Sequence, residues 1–422
     1  MRVEPVTCAF CGCLCDDIGV EVEDGRITRV HRACANGRGL FLRCRNDAAR
    51  PRLKGREIDW PTAIAEAARI LEAADSPLIY GLSSSAVEAQ RRAVELAEKL
   101  GAFLDSTSSL CHGPTTLATQ AIGGPTCTLG EARNRADLVI FWGCNPAEAH
   151  PRHWVRYAVG PGGLEMRGGH RDRTVVVVDV RPTRTARMAD LFLRVRPGYD
   201  LEVVAALRAL LRGVGLAGSE VGGVPMADLN DLLVRMKGCR YGVVFFGLGL
   251  TMSRGRDLNV AELLALVSEL NQYTRFAAVP MRGHGNVAGA DQVLTWQTGF
   301  PFGLSFARGY PQYGPGEHTA VDLLARHEVD AALVVASDPL AHLPALAAAH
   351  LRSIPMVVLD PGDSLTAQAA RLVLPTAQYG IGAAGTAYRM DNVPIPLKRV
   401  LEATRPTDEE VLEAIVGRLG QP

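Results

Sequence analysis

The chain has 422 residues, 47% of them hydrophobic, with 45 Lys plus Arg set against 45 Asp plus Glu. That length predicts two or three domains instead of one core, and the even charge excludes a strongly basic nucleic-acid-binding protein or an acidic tail. No run approaches about 20 apolar residues and the first seven carry no signal core or twin-arginine pair, so a cytoplasmic protein without membrane contact is expected.

Four of the ten cysteines fall within residues 8–15. In a reducing compartment such clustering points to metal ligands more than to disulfides. Cys8, Cys11 and Cys15 follow the spacing C-x2-C-x3-C, and EVEDGRITRV reads as two strands about an Asp24-Gly25 turn that carries Cys34 back beside them. Four thiolates suit zinc or an iron–sulfur cluster. The lone cysteine in ACANGRGLF is unlike the paired knuckles of a zinc ribbon. Cys13 and Cys44 could each replace a neighbouring ligand or serve as small core residues.

Two helical stretches follow, WPTAIAEAARILEAA and SAVEAQRRAVELAEKLG, and after them strands alternate with helices, the pattern of parallel sheets in an α/β fold. STSSLCHGPTT is a turn-rich stretch around Cys111 and His112. Cys111 reads as a nucleophile with a neighbouring base, as a thiolate ligand to a metal, or as a buried thiol beside a satisfied histidine.

One pattern then occurs twice. ADLVIFWGCNPAEAHPRH precedes TVVVVDVRPTRTARMADLFLRVRPGYD, and DAALVVASDPLAHLP precedes PMVVLDPGDSLTAQAARLVLP. Each copy is an apolar strand ending in Asn-Pro or Asp-Pro with a nearby His, then a strand ending in Asp. Ligands of open parallel sheets bind beyond the carboxyl ends of strands, where Asn145 and Asp179, or Asp338 and Asp360, could bond a ribose or guanine. The duplication suggests two similar dinucleotide-like ligands. Between the copies, GLGLTMSRG resembles a glycine-rich turn but lacks G-x-G-x-x-G, which argues against NAD. VPMRGHGNVAG supplies Arg282 as an anion clamp.

The motifs CAFCGCLCDDI, ACANG, LCHGP, RADLVIFWGCNPAEAHPRH, VPMRGHGNVAG, GYPQYGPGE, ASDPLAH and GTAYRMDNVPI occur in an order that resembles the catalytic B subunit of tungsten or molybdenum formylmethanofuran dehydrogenase, over nearly the full length. The resemblance implies that Cys8, Cys11, Cys15 and Cys34 hold a 4Fe-4S cluster. It implies that Cys111 ligates tungsten or molybdenum of a bis-molybdopterin guanine dinucleotide cofactor, and that His112 and Arg282 line a pocket exchanging carbon dioxide and formate. The cofactor-binding set completed on this basis is Asn145, His150, Asp179, Arg181, Gly247, Gly249, His284, Asn286, Asp338 and Asp360. Gly285 stands where the family pattern tends to carry a bulkier aromatic, and Cys44 has no assigned place.

The resemblance further implies a molybdopterin oxidoreductase-like α/β fold with mainly parallel sheets and no C-terminal β-barrel domain. Expected domains are an iron–sulfur domain at 1–58, a pterin-binding domain from 59–135 and 321–422, and an inserted pterin-binding domain at 136–320. Expected partners are an amidohydrolase-like formyl-transferring subunit, a β-barrel subunit capping the pterin site and further subunits, with no nucleic acid and no membrane. A bacterial relative in a formyltransferase/hydrolase complex makes a non-redox structural subunit the alternative function.

Overall fold

The computed structural model describes residues 1–44 and 47–421. Its N-terminus is a three-stranded antiparallel sheet of Arg2–Val6, Ile18–Glu23 and Arg26–His31. Asp24 and Gly25 turn the hairpin at φ of 47° and 71°, the paired positive values of a type I′ turn. Cys34 then caps the helix Ala35–Arg43 by accepting from the Gly37 N–H at 3.4 Å. The two helical stretches form Trp60–Glu72, capped by Asp59, and Val87–Leu100, closed by Gly101 at φ 65°.

The chain divides into two units, one of Met1–Leu110, His284–Arg389 and the chain from Pro394 on, the other of Cys111–Gly283 with Met390–Val393. The expected boundaries lay at 58, 135 and 320. The cysteine hairpin belongs to the first unit, because the Tyr379 hydroxyl donates to the Ala9 carbonyl at 2.5 Å and Cys11 bridges to His284. The inserted unit begins at Cys111 because the helix Gly113–Ile122 packs on Asp257–Leu270. It ends at Gly283 because Val287–Thr298 packs on Val87–Leu100. Three quoted motifs, LCHGP, MRGHGN and YRMDNVP, therefore contain the points where the chain crosses between units.

In the second unit five strands pair wholly in parallel, in the order Leu191–Arg194, Thr174–Asp179, Leu138–Trp142, Tyr241–Phe246 and Arg275–Pro280. In the first unit Leu372–Leu374, Met356–Leu359, Ala331–Val335, Pro77–Gly81 and Phe103–Ser106 form the same parallel series. Short antiparallel strands extend both of its edges. Runs such as LVIFW, YGVVFF and AALVV are buried throughout, as strands covered on both faces must be.

The twofold pattern read from the sequence is thus a repeated sheet with a permuted chain order. The duplicated segments occupy one side of each sheet. Each sheet reverses direction of winding beside its duplicated first strand, next to Tyr241–Phe246 or Pro77–Gly81, which is where open α/β sheets bind ligands.

At Gly285, where the family pattern tends to carry a bulkier aromatic, this fold leaves no room for a side chain. A Cβ there would overlap both the Ala9 carbonyl oxygen and the Tyr379 hydroxyl, so no side chain fits without moving the cysteine loop. Gly285→Ala should lower stability by about 1–3 kcal/mol through overpacking, read as a lower melting temperature. An unchanged melt would show that the loop yields.

Candidate functional site

The first unit gathers the N-terminal thiols. Burial raises the Cys8 pKa, and the charges of Cys11, Cys15 and Cys34 raise it further, so these four are electrostatic neighbours. Cys13 is fully buried among the same three and hydrogen-bonds Cys11, which lowers Cys11 and raises Cys13. Cys44 closes the other end of the Ala35–Arg43 helix, where burial raises its pKa and Arg405 opposes the rise. Among the described residues no three or more His, Cys, Asp or Glu side chains are already drawn into metal-holding geometry. The donor set nevertheless fits an iron–sulfur group, being four soft sulfurs. Gly37 lets two of these sulfurs come close to the helix backbone, since a Cβ there would stand 2.8 Å from Cys8 Sγ and 3.8 Å from Cys34 Sγ.

The strand ends of this unit are equally organised. The Asp338 Oδ1 accepts from the Thr366 N–H at 2.9 Å and hydroxyl at 2.6 Å, while the Leu340 N–H donates to the same hydroxyl at 3.1 Å. Asp360 accepts from the Gly362 N–H at 2.7 Å and the Ser364 hydroxyl at 2.6 Å, and burial raises its pKa. A cavity of about 740 Å³ joins Asp360 to the cysteine hairpin, lined among others by Phe10, Asn36, Arg43, Cys44 and Gln378. It falls within the usual range of small-molecule and cofactor pockets.

Two further candidates sit beside Pro77–Gly81. The His284 Nδ1 lies 2.7 Å from the Ser83 hydroxyl and 3.3 Å from that of Thr107. Asn286 is wholly buried, its Oδ1 accepting from the Tyr388 N–H at 2.7 Å and its Nδ2 donating to the Ser85 carbonyl at 2.7 Å. Its amide is engaged in holding the fold, and a direct bond from it to a ligand would require one of these contacts to open.

In the second unit the turn after Leu138–Trp142 repeats the same construction. The Asn145 Oδ1 accepts from the Thr185 N–H at 3.2 Å and hydroxyl at 2.7 Å, and the Ala147 N–H donates to that hydroxyl at 3.1 Å. Thr185 and Thr366 went unread in the sequence, although the matching TARMADLFL and TAQAARLVL were there to align. Asp179 accepts from the Val180 N–H at 2.7 Å, and burial raises its pKa while the nearby Arg181 opposes the rise.

Gly247 and Gly249 meet the Leu138 strand's exit at the winding reversal. The Gly249 N–H donates to the Gly143 carbonyl at 2.9 Å, and a Cβ on Gly249 would lie 2.5 Å from Gly143 Cα. This close approach brings Thr251 to the Cys111 carbonyl, to which its hydroxyl donates at 2.9 Å. The glycine-rich turn thereby fixes the backbone of the candidate metal thiolate.

His112 follows at the start of the helix Gly113–Ile122 and is fully buried. Its Nε2–H donates to the Met281 carbonyl at 3.3 Å, leaving Nδ1 to accept from the Thr115 hydroxyl at 3.0 Å. Burial first, and then the nearby Arg282 charge, lowers its pKa to about 3, so the ring is neutral. His150 donates from Nε2 to the next carbonyl, that of Arg282, at 2.8 Å. Cys111, His112, His150 and Arg282 are therefore tied together within one unit.

His153, also unassigned from the sequence, is fully buried against Phe245, Phe141 and Tyr157, with ring centroids 4.5, 5.9 and 6.3 Å away. Neither ring nitrogen has a hydrogen-bond partner among the described residues. Burial lowers its pKa from 6.5 to about 3. The unfolded chain takes up this proton below pH 6.5 and the folded chain does not until about pH 3, so stability is complete above that window and falls as pH drops through it. At pH 5 the loss from this group is roughly 2 kcal/mol. His153→Phe should remove about that much of the stability difference between pH 7 and pH 5 in urea titrations; an unaltered difference would show that the ring is solvated.

Comparison with known proteins follows the same lines. The B subunit of tungsten-containing formylmethanofuran dehydrogenase 2 from Methanocaldococcus jannaschii is 46% identical over 99% of this chain and 98% of its own length. The corresponding Methanococcus maripaludis protein is 43% identical over the same shares. A crystal structure of the formyltransferase/hydrolase complex from Methylorubrum extorquens contains a chain that superposes with TM-score 0.73 at 26% identity, covering 87% of this chain and 98% of that one. Acetylene hydratase from Pelobacter acetylenicus superposes with TM-score 0.72 at 14% identity, covering 98% of this chain and 69% of its own, a likeness of fold. No protein-family model matches the chain.

Two similarly wound parallel sheets with glycine-lined reversals define an α/β protein whose fold is shared with acetylene hydratase. No helix among the described residues is long and apolar enough to cross a membrane. The chain belongs to the family of formylmethanofuran dehydrogenase B subunits, a family of oxidoreductase components.

Proposed function

We propose that this chain is the redox subunit of a formylmethanofuran dehydrogenase-type complex, interconverting carbon dioxide and formate so that a partner subunit can pass the formyl group to a furan carrier. The observation that carries the reading is the anchoring of the Arg282 segment by His112 and His150 through the consecutive carbonyls of Met281 and Arg282, beside Cys111, whose own carbonyl is held by Thr251. Cys111 would hold tungsten or molybdenum, and Cys8, Cys11, Cys15 and Cys34 a 4Fe-4S cluster. Asn145, Asp179 and Arg181 with Gly247 and Gly249 in one unit, and Asp338, Asp360 and His284 in the other, would carry the two guanine dinucleotide ends. When bound, the metal pterin supplies the two-electron exchange and the cluster a route for single electrons.

The protein's own contribution is binding and orientation. Arg282 offers a planar fork to the carboxylate of formate. In the arrangement seen, His112 is a neutral donor that fixes the Met281 carbonyl, and moving a proton through its Nε2 requires that bond to open.

A structural, non-redox role is favoured by one observation, the superposition on a chain of a formyltransferase/hydrolase complex. Elemental and nucleotide analysis of the purified complex separates the readings. The redox subunit should contain about four iron atoms and one tungsten or molybdenum per chain, with two GMP equivalents released on mild hydrolysis. Protein lacking metal and GMP while retaining formyl transfer would establish the structural role.

A further inference from the structure

The duplicated Asn-Pro and Asp-Pro turns are built alike but end differently. In both, a threonine hydroxyl bridges the turn, Thr185 to Asn145 and Thr366 to Asp338. The residue closing each short helix differs, His150 in one copy and Leu343 in the other, each donating its N–H to the carbonyl of the turn's proline. Leu343 has no side-chain donor, yet its turn closes in the same way. His150 is 4% exposed and reaches 132 residues along the chain to donate to the Arg282 carbonyl at 2.8 Å. The bond is therefore not a by-product of the turn, since the same turn exists without it.

We propose that His150 is a positioning residue for the anion clamp: its Nε2–H bond to the Arg282 carbonyl, held by the Thr185–Asn145 turn, sets the direction of the Arg282 guanidinium. This rests on the reading of Arg282 as the formate clamp, and it gives His150 a task other than contact with the cofactor. Three local features make the tether stiff. Pro146 and Pro151 begin the two short helices on either side of His150, and proline at a first helical position has its φ already set. The His150 N–H donates to the Pro146 carbonyl at 2.9 Å and its carbonyl accepts from the His153 N–H at 2.8 Å. Thr185 anchors the turn to the chain just beyond the Thr174–Asp179 strand, so nucleotide-end and substrate-end elements share one support. Leaving such a part-buried hydrogen bond half-made costs stability, because the carbonyl loses its partner.

The test uses His150→Leu, which removes the donor, His150→Gln, whose amide N–H can replace Nε2–H, and Thr185→Val, which loses the hydroxyl at nearly constant shape. Hydrogen–deuterium exchange of the peptide spanning 281–285 reads the tether directly and needs no activity. It should quicken about tenfold in His150→Leu and return toward wild type in His150→Gln, with Thr185→Val between them. In the complex assayed with formate and a viologen dye, KM for formate should rise about tenfold in His150→Leu with kcat little changed and metal and GMP contents as in wild type. Wild-type exchange and KM in His150→Leu would overturn the proposal. So would loss of metal or GMP in both His150 variants, which would make His150 a cofactor contact. If the complex proves free of metal, the redox reading fails by itself, while the exchange measurement still decides whether His150 holds the Arg282 segment.

Discussion

Replacing Cys111 by alanine should reduce viologen-linked formate oxidation to background and remove tungsten or molybdenum from the purified complex, while the melting temperature stays near that of wild type. The thiol is half-exposed and its backbone is held through the carbonyl by Thr251, so deleting the sulfur leaves the loop's support in place. Loss of a soft ligand acts on the metal itself, and the fall should exceed the 10–100-fold typical of changes behind the ligands at metal sites. Arg282→Lys keeps the charge but not the planar fork and should mainly raise KM for formate. Full activity and full metal content in Cys111→Ala would remove this residue from the centre, and with it the proposed redox site.

A Cys34→Ser variant should lose the visible absorption and the reduced-state EPR signal of a 4Fe-4S cluster, whereas Cys44→Ser should keep both. Both cysteines flank the same helix, Cys34 at its start and Cys44 at its end. Of the two, only Cys34 contributes to the field at Cys8 and Cys13, alongside Cys11 and Cys15, and only its sulfur joins that of Cys8 against Gly37. Cys44 instead lines the cavity next to Asp360. Serine preserves the shape at position 34 but supplies a hard oxygen in place of a soft sulfur, so a cluster spectrum that survived Cys34→Ser would point to Cys13, the other buried thiol of the group. Loss confined to Cys44→Ser would reassign the fourth ligand to the far end of the helix.

The duplicated segments illustrate how far sequence reasoning carries. Their strands, the Asn-Pro and Asp-Pro turns and the terminal aspartates are visible as local text, because a buried parallel strand must be continuously apolar and its turn must use residues that suit a turn. The threonines that hold the two turns were not visible, since each acts across 40 or 28 residues on a partner in another strand's loop. The tight fit at Gly285 was not visible for a related reason. Its neighbours Ala9 and Tyr379 come from opposite ends of the chain, and nothing beside it in sequence shows that they close the space.

By itself, the sequence determined the cysteine hairpin, the α/β alternation, the repeat and the candidate thiols, histidines and arginine, because each depends on residue type and short-range spacing. Only the tertiary structure decided which of those groups remain available for chemistry. Asn286 is engaged by residues 102 and 201 positions away, His112 by Met281 at 169 positions, and Arg282 is held by His150 across 132. A buried donor or acceptor must be paired wherever the fold leaves it, and its partner is chosen by proximity in space, which spacing along the chain does not encode.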